Sequence, residues 1–198
     1  MKQKLWFGLV LVLIFSAVAQ ATLMYIQSTD GKIRLRVPAG WAVAQVNDVS
    51  FVVANSSDAL AKGAKEDLAA FEADDFAVSM QVASTKSFGI AANTATPEAI
   101  EKVFMIMLSS PEATAYLKSI DTQAKPASPM RIGNRIFAGI ELSGKMNGFY
   151  LANELRPGIF VTASLIVQGE SNSKLEQSAL SIAASLSYSG TVENLEEE

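Results

Sequence analysis

The sequence predicts an α+β fold, a mostly antiparallel sheet with helices packed on it. Three observations carry that expectation. Segments such as Lys32-Ile33-Arg34-Leu35-Arg36-Val37 alternate polar and apolar residues at a period of two, which places alternate side chains on opposite faces of a strand. The dipeptides between several such segments, Asp30-Gly31, Gly133-Asn134 and Pro157-Gly158, make turns too short for anything but antiparallel neighbours. Three other segments change to a helical period.

The elements follow in order. Residues 25–28 are a short strand, and after the turn at Asp30-Gly31 the residues Ile33, Leu35 and Val37 face a core. Pro38-Ala39-Gly40 turns the chain, with proline presetting φ. Strands are expected over 41–46 and 50–54. Leu60, Ala64, Leu68 and Phe71 recur at helical spacing over 58–71, where Gly63 costs about 1 kcal/mol relative to alanine. Phe76, Val78, Met80 and Val82 then share one strand face.

Thr96-Pro97-Glu98 opens the clearest helix: a capping hydroxyl, a proline where its missing N–H does no harm, and an acid at the positive end. Ile100, Val103, Phe104, Met107 and Leu108 form its stripe, with Met105 and Ile106 off it. Ser110-Pro111-Glu112 repeats the opening and starts a second helix to about Ile120. The two prolines of 125–129 read as a loop. A meander follows: 130–132, 135–142, a turn over 144–148, then 148–155 and 159–167. Tyr150, Phe160 and Ile166 share its second face, which a helix is expected to cover. Ser173-Lys174-Leu175-Glu176 has the form of a capping box, with Leu175, Ala179, Ile182, Ala183 and Leu186 on one face of the helix it starts. A single domain over 22–189 is expected, followed by an acidic, frayed tail over 190–198.

Four places in this pattern resemble the PsbP-like domain, a fold shared with a Ran-binding nuclear import factor and with exported bacterial proteins. They are Ile33-Arg34-Leu35-Arg36-Val37-Pro38-Ala39-Gly40-Trp41, the helix beginning at Pro97, Ile132-Gly133-Asn134-Arg135 leading into hairpins, and the closing Ile182-Ala183-Ala184-Ser185-Leu186. The resemblance spans residues 25–188. It implies a fold and no particular activity, because one architecture hosts unrelated functions.

The first 21 residues read as a secretory signal peptide. Lys2 and Lys4 precede an apolar run of 11 residues over 5–15, and Ala17-Val18-Ala19 and Ala19-Gln20-Ala21 give small residues at cleavage spacing twice. The rival is an uncleaved anchor, which must include Ser16, Gln20 and Thr22 to reach the roughly 20 residues a spanning helix needs. The expected location is periplasmic or extracellular, with membrane contact only through an uncleaved N-terminal segment.

Composition narrows the chemistry. There is no His and no Cys, so zinc sites built on them, thiol nucleophiles and Ser-His-Asp catalysis are excluded. Removing residues 1–21 takes two lysines from the 16 basic residues and leaves 14 against 20 acidic ones, a net charge of −6. Nothing resembles a basic nucleic-acid surface.

No catalytic residue, cofactor or metal site is assigned. Ser171-Asn172-Ser173-Lys174 matches the S-x-x-K nucleophile motif, but its partner motif K-T-G is absent and helix capping explains Ser173. Glu66, Asp67, Glu72, Asp74 and Asp75 lack calcium-loop spacing. Trp41 is expected at a core edge, and Asn55-Ser56-Ser57 fits a glycosylation pattern relevant only to a eukaryotic secretory route. The apolar excess of Val103-Phe104-Met105-Ile106-Met107-Leu108 leaves Met105 and Ile106 as the possible partner surface for a protein or an acyl-like ligand, unless the 110–120 segment folds back over them. The functional expectation is an exported, non-enzymatic accessory or binding module of the cell envelope. The alternative is a serine/lysine-type hydrolase.

Overall fold

The computed structural model describes residues 23–64, 75–168 and 173–195. The signal segment, the second half of the expected helix over 58–71, all of the acidic cluster except Asp75, Ser171 and the last three glutamates lie outside them.

The strands are β1 (Leu23–Gln27), β2 (Ile33–Pro38), β3 (Ala42–Asn47), β4 (Ser50–Ala54), β5 (Ala77–Ser84), β6 (Thr122–Ile132), β7 (Arg135–Gly144), β8 (Met146–Arg156), β9 (Ile159–Gln168) and β10 (Ser187–Tyr188). The helices are α1 (Ser57–Ala64), α2 (Pro97–Leu108), α3 (Pro111–Ser119) and α4 (Ser173–Ser185). Seven strands form one sheet in the order β3-β4-β5-β9-β8-β7-β6, and β1-β2-β10 form a smaller one. Among the described residues every pairing is antiparallel. The fold class is α+β.

The large sheet is covered on both faces. On the first, one row runs through paired residues Phe51, Met80, Ala163 and Leu151, and Ile33, Leu35 and Val37 of β2 pack on this face with Ala179, Ile182, Ala183 and Leu186 from α4 and its end. The alternation in β2 places Arg34 and Arg36 in water, as its period requires. On the second face Ile140, Ala138, Ala152 and Phe160 pack against Ile100 and Phe104 of α2, while α1 covers Val52, Ala54 and Ala77 through Ala59. The expected helix cover of Phe160 is therefore found.

Three expectations need correction. Residues 125–129 are not a loop: they lie within β6, which pairs with β7 through a register shift between Ala127 and Met130. β6 is an edge strand, where a residue without N–H is tolerated, and the bulge accommodates the irregularity. The turn over 144–148 shrinks to Lys145, whose N–H donates to the Asp121 carbonyl at 3.0 Å. The tail does not fray at 191: Glu193–Leu195 form a 3₁₀ turn, and Val192 and Leu195 pack on the core. Thr191 N–H donates to Asn194 Oδ1 at 3.0 Å, which closes this turn locally.

Candidate functional site

The α2–α3 pair stands on the second face of the sheet. Thr96 Oγ1 accepts from the Ala99 N–H at 3.3 Å, and Pro97 occupies the first turn. The Glu98 carboxyl lies below its usual range, held by its own backbone N–H and then by the Thr96 hydroxyl. Ile100, Phe104 and Leu108 recur every four residues and point to the sheet, where Phe88 packs edge-on to Phe104 at 6.3 Å between centroids. At 100° per residue, Ile106 stands almost opposite Phe104, and it is 61 % exposed.

The stripe differs from expectation at its end. Met107 is 52 % exposed, whereas Met105 is half-buried and packs on the second-face cluster. The angular period placed Met107 inward, but the row that meets the sheet is the narrower Ile100-Phe104-Leu108.

Only Ser109 and Ser110 separate the two helices. Ser110 Oγ accepts from the Ala113 N–H at 3.1 Å and caps α3. Thr114 Oγ1 donates to the Leu108 carbonyl at 3.2 Å, tying α3 to the end of α2. No residue of α3 is buried, and the exposure of Ile106 shows that α3 does not fold over it. The helices leave a groove of about 510 Å³ lined by Met105, Leu108, Thr114, Leu117, Thr122 and Ala124. Tyr116 on α3 is 53 % exposed. Asp121 adopts φ +49° at the turn into β6, a conformation Asp tolerates better than most residues.

The sequence brought Met105 and Ile106 forward, and the structure separates them: Met105 lines the groove and Ile106 faces solvent. Leu117 and Tyr116 went unnoticed, because α3 has no stripe that marks either one.

The other candidates are placed as follows. Trp41 packs edge-on to Phe76 at 6.0 Å, closing a core edge. Lys174 is exposed on the first turn of α4. Asp75 pairs with Lys62 at 2.6 Å and Asp58 pairs with it at 2.7 Å. The Asp58 and Asp75 carboxylates hold the Lys62 ammonium protonated well above its usual range. Asn55 Oδ1 accepts from the Phe76 N–H at 3.0 Å. Among the described residues, no group of three or more His, Cys, Asp or Glu is placed to hold a metal ion, and no helix is long and apolar enough to cross a membrane.

No family model and no curated protein matches the sequence. The structure does align with solved ones. The solution structure of PsbP from the cyanobacterium Synechocystis is 13% identical with a TM-score of 0.49, covering 87% of this chain and 96% of that one. A crystal structure from Bacteroides thetaiotaomicron is 13% identical with a TM-score of 0.42, covering 84% of this chain and 48% of that one. The chain spans about half the length of that second protein.

Proposed function

We propose that this protein is an exported accessory or binding module of the cell envelope, with its partner surface on α2 and α3. The single observation that carries the reading is the exposed apolar surface of the helix pair: Ile106, Met107 and Tyr116 are each more than half exposed. Exposed apolar patches of this kind mark interaction sites, and methionines suit a contact that must adapt its shape. The N-terminal pattern supports export, and the lack of His and Cys removes the commonest nucleophile and base pairings. The partner is a protein or an acyl-like ligand, gripped by Ile106 from outside and by Met105 within the groove.

The test is a photo-crosslinking residue at position 106 in the producing cell. One discrete adduct is expected, competed by added wild-type protein and not by Ile106→Asp. Ile106→Asp should leave thermal stability within about 0.5 kcal/mol, as exposed substitutions do. Met105→Asp should cost more, about 1–3 kcal/mol, because it takes a charge into a half-buried site. Absence of an adduct, or an adduct that Ile106→Asp competes away, overturns the surface. A recovered chain starting at Met1 overturns cleavage, for which Gln20 or Thr22 is the expected first residue. Labelling by a fluorophosphonate that is lost in Ser171→Ala establishes the hydrolase instead.

A further inference from the structure

A second groove lies on the opposite side of the large sheet, between the open end of the β1–β2 hairpin, β6 and α4. Its volume is about 930 Å³, and its lining includes Leu23, Arg36, Met130, Arg131, Lys174 and Ser178. Three cations meet here from three distant segments, and no Asp or Glu is among the described residues that line it. The chain as a whole has more acidic than basic residues, 20 against 16, so the gathering of cations is local.

Beside the cations stands an apolar edge. Leu23 is 50 % and Tyr25 75 % exposed on β1, an edge strand of the small sheet. The Arg36 guanidinium carbon sits 5.3 Å from the centroid of the Tyr25 ring. A cation laid on an aromatic ring, next to exposed aliphatic side chains, matches the boundary between lipid headgroups and acyl chains, where tyrosine and arginine both gather.

The covalent path of the chain gives the face its direction. The apolar N-terminal stretch joins the described residues at Leu23, which itself lines the groove. Retained as an anchor, that stretch holds this face towards a bilayer. Cleaved after Ala19 or Ala21, it leaves a new α-ammonium one to three residues from Leu23, adding positive charge at the same place.

We propose that the face formed by Leu23, Tyr25, Arg36, Arg131 and Lys174 docks on a bilayer surface bearing anionic phospholipid, with phosphates in the groove and the β1 side chains at the headgroup boundary. The α2–α3 surface, on the other face of the sheet, then points away from the membrane. The proposal does not depend on the α2–α3 reading, and its two arginine substitutions leave that surface intact.

The experiment measures binding of the full chain to vesicles of phosphatidylcholine alone and of phosphatidylcholine with one-third phosphatidylglycerol. Cations near an anionic surface contribute about fivefold each, so Arg36→Gln with Arg131→Gln should weaken binding to the anionic vesicles about 30-fold. Binding to the neutral vesicles should not change, since any contribution of the N-terminal stretch is common to both proteins. High salt should abolish the preference for anionic vesicles. The charge-matched control Lys102→Gln with Lys145→Gln, outside the groove, should keep the preference within about twofold. Arg36 and Arg131 are exposed, so the melting temperature reports that the fold is kept. Equal loss in the control variant makes net charge the cause and overturns the site. Undiminished binding by the double arginine variant overturns it as well. If soluble poly-glutamate binds through the same two arginines while anionic vesicles do not bind, the groove takes an acidic polypeptide and the membrane proposal fails.

Discussion

The rings of Phe104 and Tyr150 meet edge to face, with centroids 5.2 Å apart and planes at 79°. This contact fixes which side of α2 faces the sheet, and therefore which residues the helix presents to solvent. Phe104 is buried between Phe88 and the β8 surface, while Tyr150 stays partly exposed at the helix edge. The orientation of Ile106 is a consequence of where Phe104 is anchored.

Phe104→Ala should therefore destabilise the protein by about 3–5 kcal/mol, the usual cost of emptying a buried aromatic site. The loss should be uneven. Hydrogen exchange should accelerate throughout α2 and α3 while the amides of β5 and β9 remain protected, because those strands pack mainly on the first face. A loss below about 1 kcal/mol would show that Phe104 does not anchor the helix.

How far the sequence reveals this arrangement depends on the kind of interaction. Ile33, Leu35 and Val37, or Phe76, Val78, Met80 and Val82, are legible because a strand with one buried face writes its period directly into the chain. The caps at Thr96 and Ser110 are legible because each bonds only to its own helix. Pro126 and Pro129 mislead, since their cost depends on whether the strand is central or at an edge, and sheet order is a tertiary fact. Met105 and Met107 mislead for a related reason: the helical period gives an angle around the axis but not which neighbours flank each angle. Ser187 and Tyr188 pair with β2 over only two residues, too short a run to show any period. The basic groove is invisible in the sequence because Arg36, Arg131 and Lys174 approach one another only after folding.

The close approach of β7 to β8 depends on one glycine. Gly139 has φ +154°, and a Cβ there would overlap the Tyr150 carbonyl oxygen. Gly133, in the β6–β7 turn, has φ +61° with nothing near the place a Cβ would take. Gly133→Ala should cost only the left-handed strain, about 1 kcal/mol. Gly139→Ala should cost about 3 kcal/mol, since backbone strain and overlap act together. Paired urea denaturations measure the difference, and equal losses would mean that β7 shifts freely to admit a side chain.

The β1–β2 turn should show a distinct acid response through Asp30. Ser28 Oγ donates to Asp30 Oδ1 at 2.6 Å, and the Lys32 N–H donates to the same oxygen at 3.0 Å. Lys32 Nζ lies 3.2 Å from the second oxygen. These bonds, the Ser28 hydroxyl first, hold the Asp30 carboxyl below its usual range. In the unfolded chain the same carboxyl takes up a proton near pH 4. Between that pH and its lower folded value the unfolded state binds more protons, so stability falls as pH falls. The contribution is complete above the unfolded value and lost once pH drops below the folded one. Asp30→Asn should therefore lower stability at neutral pH and lose less of it on acidification, giving a shallower curve of urea midpoint against pH below about 4. Parallel curves for the two proteins would show that the carboxylate bonds of this turn do not favour the folded state.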